Sequence, residues 1–371
     1  MDRINVLIIG GGVVGCAVAR EVSRDTADVF LVEQQPKLGM GASTRNSGVI
    51  HSGIYYTQGS LKAHHCLAGN RLTYEFCAAH GIPHKRTGKL LVATFPHEED
   101  ELEALLERGG ANGVEGLRII GRDALHAKEP HIAGRAAIEV PSTGIVNSEE
   151  LVKAFARIAV EQGASLLTHT KVEGMAPERD VVRIRLRTEE AEEGVEARCV
   201  VNAAGLFADE VAALAGNTTW RIFPVRGEYC EAVRAKADLV NALVYPLPHP
   251  EGLSLGVHLT KTLWGTLLVG PTARYVEDKN DYEKDREPVE EFARRAKTLL
   301  PAIEAEDLIP AYSGIRAKLV PPGGKGPADF VIARDANHLR VIHLVGIESP
   351  GLTSAPSIAQ QVSEMVRETL R

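Results

Sequence analysis

Apolar and polar positions alternate along this chain in blocks that predict alternating strands and helices. The first block, Val6-Leu7-Ile8-Ile9, is short, wholly apolar and β-branched, the pattern of a strand buried on both faces. It opens into Gly10-Gly11-Gly12-Val13-Val14-Gly15, after which Val13, Val14, Ala17, Val18 and Val22 recur at helical spacing. A second apolar run, Val29-Phe30-Leu31-Val32, ends in Glu33. Strand, G-x-G-x-x-G, helix, strand and acid follow one another as in a dinucleotide-binding unit. There Gly10 permits the tight turn, Gly12 lets a diphosphate approach bare backbone, and Gly15 lets the helix pack on the strand. The helix N-terminus favours phosphate, and Glu33 accepts hydrogen bonds from a ribose.

Downstream, Ser60 caps a predicted helix over 61–80, with Leu61, Cys66, Leu67, Leu72, Phe76 and Cys77 inward and Gly81 as its stop. Helices are also predicted over 98–108, 122–129 and 288–300, from 208 onward, and after Thr353 to 370. Asn147 and Glu150 form a capping pair for another helix, which ends at Gly163. Strands are predicted at 88–94, 117–120, 164–173, 181–187, 199–202, 223–232, 253–260, 263–269, 330–332 and 339–345. Two later strands also run into small residues and then a helix, at Ala203-Ala204-Gly205 and at Gly346–Thr353. Three such junctions predict an α/β fold: a Rossmann-like domain built from 1–90, 143–222 and 310–371. A mixed antiparallel-sheet and helix domain is inserted as 91–142 and 223–309.

Composition narrows the partners. The 371 residues carry a net charge of −7, the wrong sign for nucleic acid. Cys16, Cys66, Cys77, Cys199 and Cys230 form no C-x-x-C and read as buried apolar residues in a reducing compartment. His64 and His65 point about 100° apart on a helix and have no companion ligand spacing, so no metal site is expected. With no signal peptide and no run of roughly 18 apolar residues, a cytoplasmic protein is expected, and peripheral contact with the cytoplasmic face of a membrane stays open.

The stretch 36–53 is a long loop of small and hydrogen-bonding residues, uncommon unless a ligand orders it. A loop rich in donors suits a cofactor larger than NAD, such as the ribityl diphosphate and ring system of FAD. With these pieces in view the chain resembles the FAD-dependent oxidoreductases of the D-amino-acid oxidase superfamily, and within it the L-2-hydroxyglutarate dehydrogenase/oxidase family. The resemblance is carried by Ser43-x-Arg45-Asn46-Ser47-Gly48-Val49-Ile50-His51-Ser52-Gly53-Ile54-Tyr55-Tyr56, Gly69-Asn70-Arg71, Gly88-Lys89-Leu90, Arg226-Gly227-Glu228-Tyr229, Gly256-Val257-His258 and Val345–Thr353. One departure stands out: where the family has Gly-x-Arg-Pro, this chain reads Gly314-Ile315-Arg316-Ala317.

The resemblance implies FAD and oxidation of a 2-hydroxy (di)carboxylic acid. It implies cofactor contacts from Gly10, Gly12, Val13, Val14, Gly15, Glu33, Gln34, Ser43, Arg45, Asn46, Ser47, Gly48, Val49, His51 and Val172. Further contacts are expected from Ala203, Ala204, Gly205, Gly314, Arg316, Gly346, Ile347, Gly351, Leu352 and Thr353. Such a reaction needs hydride transfer to the flavin, a base for the hydroxyl proton and a fixed cation for the carboxylate. His51 is either that base or a hydrogen-bond partner of the flavin ring. His258, flanked by Val257 and Leu259, points away from both and is either substrate-facing or a structural histidine. Arg316 is the expected carboxylate anchor, with Arg226, Lys318, Tyr55, Tyr56 and Tyr245 as candidates for the distal end. Amine oxidation on the same fold and non-catalytic flavin binding compete with this reading. Oxygen, a quinone or an electron-transfer protein would each serve as electron acceptor.

Overall fold

A computed structural model describes residues 2–248, 256–324, 326 and 328–371. The strand Asp2–Ile9 lies at the centre of a largely parallel sheet, with Val29–Val32 on one side and Glu192–Asn202 on the other. Ser165–Leu167 extends it beyond Val29–Val32. The long strand Glu192–Asn202 changes partners along its length. Its first half pairs antiparallel with Val182–Arg187, and its last residues pair parallel with Val341–Val345.

The absence of alternation in these strands follows from burial on both faces. Val6, Ile8, Leu31, Cys199 and Val201 pack under the helices Val13–Val22, Ser148–Glu161 and Gly351–Leu370. Leu7, Ile9, Val32 and Val200 face the hairpin 171–187 and the helix Ala208–Leu214. Ser60 caps Leu61–His80 by accepting from the Ala63 N–H, and Gly81 ends it at φ +66°. That helix crosses Gly351–Leu370 at Gly69, where a Cβ would stand 2.2 Å from the Thr353 carbonyl oxygen.

A second, mixed sheet contains Lys89–Ala93, Ala136–Val140, Phe223–Ala232, Leu243–Pro246, His258–Lys261, Leu267–Gly270 and Leu308–Lys318. Leu90, Val92, Val244, Leu259 and Val269 cover one face and pack against Phe292 and Ala296 of the helix Val289–Ala296. The opposite face, with Leu91, Leu243 and Tyr245, meets Val49 and Ile54 of the long loop.

Two expected boundaries change. Residues 310–318 belong to the second sheet, because Leu308–Lys318 pairs residue by residue with Phe223–Ala232, setting Gly314 opposite Gly227. The division between 90 and 91 falls inside Lys89–Ala93, which pairs with Leu243–Pro246 and Ala136–Val140. An apolar run does not say which sheet will accept it. The strand expected over 164–173 is two, Ser165–Leu167 and Lys171–Pro177, separated where His169 turns the chain at φ +51°. Of the strand expected over 253–260, residues 253–255 lie outside the described residues, and the described part is His258–Lys261. No helix among the described residues is long and apolar enough to cross a membrane.

Candidate active site

The nucleotide end is shaped by the first glycines. Gly10 turns at φ +110° under the Ala203 carbonyl, and a Cβ on Gly15 would stand 1.9 Å from the Gly10 carbonyl oxygen. Above Gly12 the space is open apart from the Ser43 hydroxyl, which accepts from the Val13 N–H at 2.8 Å. The Glu33 carboxylate accepts from the Gly11 N–H at 2.7 Å and the Gln35 N–H at 2.8 Å, which fixes its direction and leaves lone pairs for a hydroxyl. Gln34 is exposed beside it, and Gly205 faces open space at φ +56°. Bare backbone at a helix N-terminus, a fixed acid beyond it and open space between them fit a dinucleotide. Val172 turns its side chain into the core with Leu7 and Val200, so contact with a cofactor falls to its backbone.

The loop after Ser43 is held by the protein itself. Asn46 donates to the Ala42 and Ser43 carbonyls and accepts from the Gly48 N–H. The His51 N–H donates to the Thr353 hydroxyl, which donates to the Val49 carbonyl, while Asn70 donates to the His51 carbonyl. Thr353, expected at the cofactor, is thus a clamp on the His51 backbone. Arg45 lays its guanidinium over the Tyr282 ring at 4.3 Å. A Cβ on Gly314 would stand 2.0 Å from the Arg45 carbonyl oxygen, so the second sheet touches this loop backbone to backbone. Gly346 turns at φ +68° beneath the Leu319 side chain, and Gly351 packs on Ile347.

Between this loop and the second sheet lies the candidate reactive face. Lys89 pairs with Leu243, and Leu243 with Thr260. This register puts Lys89, Leu91, Leu243, Tyr245, His258 and Thr260 on one side of the sheet. His258 therefore turns away from Leu259 and stacks on Tyr245 at 3.6 Å between ring centroids. The Ser47 hydroxyl interacts with the phenols of both Tyr229 and Tyr245. Opposite them, His51 Nε2 lies 3.4 Å from the Ser349 hydroxyl, which also interacts with Tyr56. Its Nδ1 is buried and has no hydrogen-bond partner among the described residues. Burial first, and then the Lys89 charge, push His51 down to about 3, so the ring is neutral near pH 7. Arg316 donates to the Thr272 carbonyl at 3.2 Å and reaches Tyr229 electrostatically.

Arg226 does not join this group. It is fully buried, and its guanidinium donates to the carboxylates of Glu228 and Asp281 and to the carbonyls of Asp281, Lys284 and Asp285. All five N–H groups are engaged, so the expectation that it binds substrate is corrected to a structural ion cluster. Lys318 is paired with Glu348 at 3.4 Å, and Lys62 meets the same carboxylate at 2.9 Å. Burial opposes the Glu348 charge, but Lys62, Lys318 and Arg316 outweigh it and hold the carboxyl below its usual range. His65 is bonded to Ser357 and Gln361.

Lys89, Ser349 and Tyr229 also adjoin the candidate residues, and sequence reasoning assigned none of them a role. For Lys89 a signal was present: it occupies the same strand face as Leu91 and Ala93, where a lysine is out of place unless it has a task. Burial pushes its amine down to about 7.

A dinucleotide cradle, a loop imidazole and a facing sheet that carries cations and a second imidazole are the parts a flavin-dependent oxidoreductase needs. The chain belongs to the FAD dependent oxidoreductase (DAO) family, which matches residues 5–365, and its cofactor is FAD. The chain is 34% identical over 400 residues to the L-2-hydroxyglutarate dehydrogenase of Escherichia coli strain K12, covering 98% of this chain and 93% of that protein. It is 33% identical over 410 residues to the mitochondrial L-2-hydroxyglutarate dehydrogenase of Mus musculus, covering 98% and 88%. Among solved structures, FAD-bound L-alpha-glycerophosphate oxidase from Mycoplasma pneumoniae superimposes with a TM-score of 0.89 at 27% identity, covering 99% of this chain and 95% of that one. Glycine oxidase from Geobacillus kaustophilus shares the fold, with a TM-score of 0.82 at 22% identity, covering 99% of this chain and 95% of that one.

Proposed function

We propose that the protein oxidises the 2-hydroxyl of L-2-hydroxyglutarate, releasing 2-oxoglutarate. The observation that carries this reading is the near full-length match to two enzymes named for that substrate. In the reaction the substrate loses its C2 hydrogen with the bonding pair and its hydroxyl hydrogen as a proton, and the C–O bond becomes a carbonyl. FAD, when bound, supplies the acceptor for the hydride.

The chain's residues divide the remaining work. Arg316 binds the C1 carboxylate, because its planar fork matches two carboxylate oxygens and it is already steadied on the Thr272 carbonyl. His51 takes the hydroxyl proton: its ring is neutral near pH 7 and its backbone is fixed by Thr353 and Asn70. The incoming carboxylates raise its basicity by offsetting the positive charges around it. His258, stacked on Tyr245, orients the substrate from the sheet side. Val49, Ile54 and Leu243 help exclude water from this face.

The test is anaerobic addition of L-2-hydroxyglutarate to the purified yellow holoenzyme. Bleaching of the flavin band with stoichiometric 2-oxoglutarate is expected. Bleaching by glycine or D-alanine with release of ammonia, and none by 2-hydroxy acids, would replace this reading with amine oxidation.

A further inference from the structure

Lys89 stands apart from the other buried cations of the molecule. Arg226 has Glu228 and Asp281, and Lys62 and Lys318 share Glu348. Lys89 is 1% exposed, yet among the described residues no carboxylate pairs with its amine. Its Nζ donates to the Tyr55 hydroxyl at 3.3 Å and lies 4.4 Å from the centre of the Tyr55 ring and 5.0 Å from that of Tyr245. The one neighbour that favours its charge is the Cys66 thiol, itself pushed up by burial and therefore neutral.

Two aromatic faces and one phenol return part of the hydration a buried ammonium loses, but they do not neutralise it. Such an arrangement is costly when empty and favourable once an anion enters. A structural role would be served better by leucine or methionine, since the neighbours Leu91 and Leu243 on the same face are apolar. The aromatic cage also excludes a surface-type ion pair, because Lys89 cannot reach solvent.

The location narrows the anion. Lys89 shares the sheet face of Tyr245 and His258, and it acts electrostatically on His51 across the gap. Arg316 belongs to the same enclosure through Tyr229, Ser47 and Tyr245. Two cations of different kinds therefore border the same group of residues: a guanidinium, whose planar fork suits one carboxylate, and a compact ammonium beside two aromatic rings.

We propose that Lys89 binds the carboxylate distal to the reacting carbon and so selects 2-hydroxy dicarboxylates over monocarboxylates of equal length. This rests on the reading of the site as a 2-hydroxy-acid oxidoreductase. Arg316 fixes the end that reacts, Lys89 the end that identifies the substrate, and Tyr55 and Tyr245 keep the ammonium pointed inward.

The test uses the holoenzyme and two unreactive probes of five carbons, glutarate and pentanoate, followed by perturbation of the bound-flavin spectrum. In the wild type glutarate binds about 100-fold more tightly than pentanoate, the discrimination expected of a desolvated charge pair. Equal affinity for the two overturns the proposal without any variant being made. In Lys89→Met the preference disappears, and the ratio of kcat/KM for L-2-hydroxyglutarate over L-2-hydroxypentanoate falls about 100-fold, mainly through KM. An equal fall for both acids overturns the proposal by placing Lys89 in the chemistry or the fold. Should Lys89→Met lose its flavin, Lys89→Gln, which keeps the length and a donor, takes its place. Absence of any hydroxy-acid turnover in the wild type sinks the functional reading alone, since glutarate binding still decides the role of Lys89.

Discussion

The guanidinium of Arg316 lies directly over Gly227, the residue facing Gly314 across the paired strands: a Cβ on Gly227 would stand 2.7 Å from Nη1 and 2.8 Å from Nη2. Only a residue without a side chain leaves room for the guanidinium, the proposed carboxylate anchor, to lie flat on the sheet. The obstructed atoms are the far end of a flexible side chain, so the fold can yield while the site cannot.

Gly227→Ala is therefore expected to cost less than about 1 kcal/mol of stability while lowering kcat/KM by about 100-fold through displacement of Arg316. Denaturant unfolding and steady-state kinetics on the same preparation separate the two effects. A large loss of stability with normal kinetics in the surviving protein contradicts it.

Arg226→Met leaves Glu228 and Asp281 without their buried partner, which is expected to destabilise the protein by about 3–5 kcal/mol. The fraction that folds should keep the wild-type preference between dicarboxylate and monocarboxylate. Thermal unfolding together with the glutarate and pentanoate titrations checks both halves, and a changed preference would return Arg226 to the substrate.

Acid should weaken the fold through His51. Its folded value is depressed to about 3 from an ordinary 6.5, so between these limits the unfolded chain binds a proton that the folded chain refuses. Stability contributed by the neutral ring is complete above pH 6.5 and falls as the pH drops toward 3. Denaturant midpoints measured across that window should fall less steeply in His51→Asn than in the wild type, and parallel slopes would remove His51 from the account.

Alkali should weaken dicarboxylate binding through Lys89. With the amine lowered to about 7, an anion that needs the ammonium must draw in a proton at higher pH. The glutarate affinity is expected to decline about tenfold per pH unit above pH 7 until the ordinary lysine range is reached, with proton uptake visible by calorimetry in buffers of different ionisation enthalpy. In Lys89→Met the affinity should show no such decline over the same range.

The nucleotide half was legible because local rules govern it. The Gly10–Gly15 motif, the Ser60 cap and the Gly81 stop each act within a few residues, and all three stand where the pattern put them. The substrate half depends on pairing between distant segments. Nothing within 308–318 says that it will lie against 223–232, and nothing around Arg226 announces Asp281 and the carbonyls of Lys284 and Asp285. The same holds for Lys89: its oddity on an apolar strand was readable, but its cage is assembled from Tyr55 and Tyr245, far away in sequence.

The contact between Gly314 and the Arg45 carbonyl separates two properties that enzymes of this kind must control. Main chain meeting main chain works as a spacer between sheet and loop that side-chain changes at other sheet positions leave in place, whereas any side chain at Gly314 itself would force it open. The wall of the enclosure, by contrast, is made of replaceable side chains at 89, 245 and 258. On the proposed reading, substrate range is open to change one wall position at a time while the spacing of sheet and loop stays as it is.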